Sequence, residues 1–177
     1  MKKNIYNFNK NAKMNLLCSK DELRHVLNCI YFDEGNAIAT DGSAILVVPL
    51  YEISTLDIED SGKLEGKLIN KDDYRELLKF ELIRVENDGV VGISRKTGAE
   101  TKYLFKDYRY PDYKSMMGSC RKCPQTQTVT FMGSHAAIMC EIMNTPFVTL
   151  EPNGTGAIGV TFKDSKAKGL IVSCPEH

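Results

Sequence analysis

The sequence predicts an α+β fold built from a repeated unit of strand, helix and short antiparallel meander. Three observations predict it. A tight hairpin lies at residues 36–49, where the apolar runs 37–39 and 44–48 flank Thr40-Asp41-Gly42-Ser43, and the Asp-Gly pair supplies a turn with φ above zero. Short apolar runs of strand length recur between turn-forming Gly, Asn, Asp and Pro. The order of strand, helix and strands returns three times at a spacing of about fifty residues, the signature of a repeated supersecondary unit.

The elements follow in order. Residues 1–13 alternate Lys and Asn around Ile5, Tyr6 and Phe8, and read as a polar, mobile arm without the continuous apolar stretch of a signal peptide. The first unit, 14–66, opens with an apolar run at 14–18 taken as a strand. Ser19 and Glu22 then stand at capping-box spacing before Leu23, Val26, Leu27 and Ile30, which repeat as on a helix. The hairpin follows, and 51–66 reads as a polar loop or weak strand. The second unit, 67–113, starts with Leu68 and Ile69. Asn70 is its N-cap, Asp72 and Asp73 complement the helix dipole, and Tyr74, Leu77 and Leu78 form the apolar face. Strands at 82–86, 90–94 and 102–105 complete that unit, separated by Asn-Asp-Gly and Lys-Thr-Gly turns. A connector spans 114–127. The third unit, 128–177, repeats the pattern with a strand at 128–131, Ser134 capping a helix, and strands at 147–150, 157–162 and 169–173.

Composition excludes several classes. No apolar run approaches the roughly 18 residues of a membrane span. Twenty-three basic residues balance twenty-three acidic ones, so net charge gives no argument for nucleic acid, although it leaves room for a basic face. The six cysteines sit mostly in apolar segments, and a reduced, cytoplasmic setting is expected. Gly-x-Ser-x-Gly, a Walker loop and His-Glu-x-x-His are all lacking, and no cofactor or metal is expected. Cys120-Arg121-Lys122-Cys123 is the one motif of another kind. It would serve thiol exchange or half a zinc site, and His135 and His177 stand at spacing unlike that of any zinc finger or ribbon.

Ala39-Thr40-Asp41-Gly42, Arg109-Tyr110-Pro111-Asp112-Tyr113 and the ending Leu170-Ile171-Val172-Ser173-Cys174-Pro175 occur in that order on the repeated unit. On these motifs the chain resembles the bacterial DNA sliding clamp, the β subunit of DNA polymerase III. The resemblance implies a DNA-clamp fold in which 14–113 is one whole clamp domain and 128–177 half of another. It implies a ring whose helices line a hole around duplex DNA through phosphate contacts that do not read sequence. The family's rings contain twelve units, so three per chain would need a homo-oligomer of four chains. It also implies a cleft that docks short linear peptides of replication or repair proteins. Carried over, the cleft is Thr40, Gly42, Ser43, Ala44, Ile45, Pro111, Val172, Ser173, Cys174 and Pro175.

The chain departs from the family where Ser43-Ala44 replaces the usual His-Arg and where Glu176-His177 replaces Met-Arg-Leu, so peptide specificity should differ. Lys20, Arg24, Lys71, Arg75 and Lys79 are the candidate DNA-facing residues, each with acidic neighbours that equally suit a solvated helix face. The third helix has no Lys or Arg. Tyr108, Tyr110 and Tyr113 suit a stacking platform for single strands, or packing of the linker on its neighbours, which is the expectation. The expected function is that of a non-enzymatic, DNA-associated processivity or partner-recruiting factor. The alternatives are a clamp-fold interaction module that encircles nothing, and a thiol or zinc protein using Cys120 and Cys123.

Overall fold

A computed structural model describes residues 6–118, 129–153 and 156–173. The chain runs through β1 (Cys29–Asp33), β2 (Asn36–Thr40), β3 (Ala44–Pro49), α1 (Leu50–Ile53), α2 (Ile58–Lys63), β4 (Leu68–Asn70) and α3 (Lys71–Leu77). It continues through β5 (Leu82–Val85), β6 (Gly89–Ile93), β7 (Glu100–Leu104), α4 (Tyr113–Gly118), α5 (Gly133–Ile142), β8 (Thr149–Asn153), β9 (Ala157–Thr161) and β10 (Lys168–Val172). The fold is α+β with antiparallel sheets, as the sequence predicts. One sheet has the order β4-β1-β2-β3-β10-β9-β8 and the other the order β5-β6-β7. One continuous sheet thus takes β1–β3 from 14–66, β4 from 67–113 and β8–β10 from 128–177, joined where β10 pairs with β3 from Lys168↔Val47 to Ile171↔Ala44. The meander of the second unit stands apart.

Strand alternation gives the large sheet two buried faces. Ile30, Phe32, Ala37, Ala39, Ala44, Leu46, Val48, Val160 and Ile171 point into the main core. There they meet Tyr74 and Leu77 of α3, Met139 and Ile142 of α5, and Ile83, Val85 and Val90 of the small sheet. The opposite face carries Ile38, Ile45, Ala157 and Leu170 under Tyr110, Tyr113 and Met117 of the linker. Each fully buried Leu or Ile contributes about 1.5–3 kcal/mol, so a sheet covered on both sides is well anchored without a large helical layer.

Several local expectations are corrected. Residues 14–18 are no strand: Met14–Leu17 forms a 3-10 turn with Met14 and Leu17 buried, wedged against α3, α5 and β2. No α-helix follows it. Ser19 Oγ accepts the N–H of Asp21 and Asp21 Oδ1 that of Leu23, two side-chain turns that compete with helix formation. A second 3-10 turn, His25–Asn28, leads into β1, which takes Ile30, while Leu23 is 87% exposed. The helical spacing was fortuitous. The segment after β3 is helical, as α1 and α2, and Asp57 caps α2 by accepting the N–H of Asp60 at 2.9 Å. Residues 129–131 form no strand, and α5 is capped by Met132 with no side-chain hydrogen bond rather than by Ser134. In contrast, Asn70 caps α3 as expected, accepting the N–H of Asp72 at 2.9 Å.

Residues 6–12 of the arm are built into the fold. Tyr6 bridges to Ile83 and Phe8 to Ser54, so the arm threads between β5 and the end of α1. Phe8 is buried against Tyr74, ring centroids 5.3 Å apart, and the Tyr74 hydroxyl donates to the Ala12 carbonyl at 2.9 Å. Removing a buried phenylalanine costs about 3–5 kcal/mol. Phe8→Ala should therefore lower the melting temperature by several degrees in a calorimetric scan, whereas a surface change such as Lys10→Ala should leave it in place.

Candidate functional site

The site is built outward from the β2–β3 turn. Gly42 has φ +96°, a backbone conformation that side-chain-bearing residues rarely adopt, so the backbone demands glycine; the nearest atom to a Cβ there would be the mobile tip of Arg24, Nη1 at 3.1 Å. Thr40 is buried. Its hydroxyl donates to the Ala44 carbonyl at 2.6 Å and accepts the N–H of Gly42 at 3.0 Å. Asp41 Oδ1 accepts the N–H groups of Ser43 at 2.8 Å and Ala44 at 2.9 Å, an Asx arrangement that closes the turn. Its other oxygen, Oδ2, lies 2.9 Å from Nε2 of His135, a residue of α5 that is 5% exposed. Burial alone would raise the Asp41 pKa; the two backbone donors and the His135 contact outweigh it and hold the carboxyl below its ordinary value.

The exit of β10 meets this turn. The Val172 N–H donates to the Ser43 carbonyl at 2.9 Å, and the Ser173 N–H to the Gly156 carbonyl at 2.9 Å. Thr40, Gly42, Ser43, Ala44 and Ile45 thus share a seam with Val172 and Ser173. Their exposure is uneven: Thr40, Ala44 and Ile45 are buried, and Gly42, Ser43 and Val172 face solvent. Pro111 is exposed, between the two tyrosines that cover the same sheet face. Cys174 and Pro175 lie outside the described residues, as do Cys120 and Cys123. Among the described residues, no three His, Cys, Asp or Glu side chains group as for a metal.

The linker tyrosines pack. Tyr110 stacks on Tyr31 at 4.6 Å, and the Tyr113 hydroxyl donates to Asp33 at 2.8 Å. Lys114 Nζ adds ion pairs to Asp33 at 2.7 Å and Glu34 at 2.8 Å. Burial pushes the Asp33 carboxyl up, and the Lys114 ammonium with the Tyr113 hydroxyl brings it below its ordinary value. Tyr108 is 45% exposed and lies beside the His25 ring. A groove of about 340 Å³, walled by Tyr113, Lys114, Met117 and Lys168, continues along this face.

The candidate DNA-facing residues do not share one helix. Lys20 and Arg24 lie in the turn-rich stretch before β1, and Lys71, Arg75 and Lys79 on and just after α3. Lys71 turns inward, donating to the Ser19 carbonyl at 2.6 Å. Arg24 pairs with Asp21 at 3.4 Å, Arg75 with Asp72 at 3.1 Å and Lys79 with Glu76 at 2.6 Å. Exposed pairs of this kind are worth about 0–1 kcal/mol and open readily to a competing phosphate.

Sequence reasoning missed His135 as part of the site. Its partner is Asp41, 94 residues away, and nothing local signals the pairing.

No protein-family profile matches the chain, and no curated protein matches it. Solved structures do. The DNA polymerase III subunit beta from Borrelia burgdorferi, in complex with a natural product, superposes with TM-score 0.60 at 12% identity, over 98% of this chain and 63% of that one. The subunit from Pseudomonas aeruginosa gives 0.60 at 11% identity over 97% of this chain and 66% of that one. The beta chain from Streptococcus pneumoniae gives 0.61 at 12% identity over 94% and 62%. The chain spans between 62% and 66% of the length of these proteins, and at such identity the likeness is one of fold: a clamp-like fold.

A carboxylate whose pKa is lowered on folding contributes stability above its ordinary value and loses it as pH falls through the lower folded value. Asp41 should therefore contribute fully at neutral pH and progressively less below pH 3.8. Urea unfolding at pH 6 and pH 3 should show Asp41→Ala destabilised at pH 6, with the gap to the parent protein narrowing at pH 3.

Proposed function

We propose that the chain is a non-enzymatic, sliding-clamp-like protein that recruits partners through short peptide segments and associates with DNA without reading its sequence. The observation that carries this reading is the seam, where the Thr-Asp-Gly turn and the exit of β10 join by the Ser43–Val172 hydrogen bond, within a clamp-like fold that covers nearly the whole chain. A peptide at this seam would meet the exposed Ser43 and Val172 and the linker edge at Pro111, over a buried floor of Ile45 and Leu170. An apolar floor with a few backbone and hydroxyl groups at its rim is the usual make-up of a peptide groove.

Assembly follows from the sheets. β8 ends the large sheet and β7 the small one, and a strand at a sheet edge can be extended by another copy. Four chains of three units would supply the twelve units of a closed ring. A second reading, an interaction module that encircles nothing, is favoured by one observation: of the five candidate phosphate contacts, Lys71 is engaged inside the fold and three more are held by neighbouring carboxylates. Among the described residues no helix is long and apolar enough to cross a membrane.

Light scattering across protein concentration, with and without duplex DNA, separates the two readings. The ring predicts a discrete four-chain mass and retention on closed circular DNA that is lost on linearisation; a monomer indifferent to DNA would overturn the processivity reading and leave the module. In either case Val172→Asp, at a position 44% exposed, should weaken peptide capture by about tenfold or more with little change in melting temperature.

A further inference from the structure

We propose that His135 is a positioning residue: through Asp41 it fixes the shape of the Thr40 to Ala44 turn and, through Ser43, the exit of β10. The proposal rests on the reading of the seam as a peptide cleft for its functional meaning, and on geometry for its substance. Asp41 divides its two oxygens between two tasks. Oδ1 closes the turn by accepting from Ser43 and Ala44, and Oδ2 faces His135 Nε2 at 2.9 Å. An ionised carboxylate only accepts, so Nε2 carries the proton and donates. The Ser43 carbonyl then accepts the Val172 N–H at 2.9 Å. An unbroken path of hydrogen bonds therefore leads from α5 of the third unit, through the hairpin turn of the first, to the last strand of the third.

Two observations separate this from ordinary helix docking. His135 is 5% exposed, and its Nδ1 is buried with no hydrogen-bond partner among the described residues, so the position keeps a polar side chain at the expense of an atom that they leave unsatisfied. A leucine would pack the same space without that penalty. The carboxylate it meets is the one that sets the turn, and a charge-assisted hydrogen bond is stronger and more directional than the apolar contacts around it. Arg24, whose guanidinium stands beside Gly42, pairs with Asp21 at 3.4 Å.

The test compares His135→Ala, His135→Leu and His135→Gln by backbone amide exchange. It also follows the binding of a fluorescein-labelled hexapeptide of alternating leucine and serine, apolar on one edge for the floor of Ile45 and Leu170. Leucine keeps the packing without the donor, and the glutamine amide restores a donor toward Asp41. In the Ala and Leu variants the Ser43, Ala44 and Val172 amides should exchange about tenfold faster or more, and the hexapeptide should bind about tenfold more weakly, with glutamine returning both toward the parent values. Unchanged exchange at those amides in the Leu variant, or no recovery with glutamine, overturns the proposal. If exchange responds as expected but the parent protein binds no hexapeptide, the positioning of the turn stands and the cleft reading falls.

Discussion

Pairing of β3 with β10 is the constraint on which the rest of the structure depends. It brings residues 44–47 against 168–171 and makes one sheet out of β4-β1-β2-β3 and β10-β9-β8, which are far apart in the chain. Without that ladder β10, β9 and β8 would form a three-stranded meander with α5 as its only helix, and β3 would present a bare edge. With it, Gly169 comes so close to Met139 that a Cβ would lie 2.8 Å from the sulfur, and α5 settles against the same core as α3. The third unit is thus not an appendage. It supplies three of the seven strands of the principal sheet.

Both faces of that sheet need cover, and each receives it from a different kind of element. The inner face takes α3, α5, the 3-10 turn at Met14–Leu17 and the small sheet. The outer face takes the tyrosine-rich linker, with Tyr110 on Tyr31 and Tyr113 tied to Asp33. The linker is therefore a packing element, laid over Ile38, Ile45 and Leu170 on the face opposite the main core. The candidate site lies at the end of this join: beyond the buried ladder, Ser43 and Val172 reach the surface.

The charge distribution bears on how such a surface could work with nucleic acid. Binding of a neutral chain to a polyanion rests on local cations, and here most of the candidate cations already have carboxylate neighbours within the same turn. Any phosphate contact would be an exchange of partners rather than the filling of an empty basic groove, which implies weak, salt-sensitive association. That is compatible with sliding, and equally with a protein whose main task is to hold other proteins.

The sequence by itself determined what short-range chemistry controls. The Asp41-Gly42 turn, the Asn70 cap and the turn at Gly98 before β7 were legible, because a side chain accepting an N–H two residues on, or a glycine at positive φ, needs no distant partner. Helical spacing at Leu23, Val26, Leu27 and Ile30 misled, since Leu23 faces water and Ile30 is claimed by a strand whose neighbours lie in β2 and β4. The short α1 and α2 were equally hidden, being one or two turns long and stabilised by the arm that packs across them. Of the candidate site, the turn and the final strand could be named from their motifs. Only the tertiary structure decided that Ile45 lies beneath the surface, that Lys71 turns inward, and that His135 meets Asp41. Each depends on contacts between residues dozens of positions apart, which local propensity does not encode.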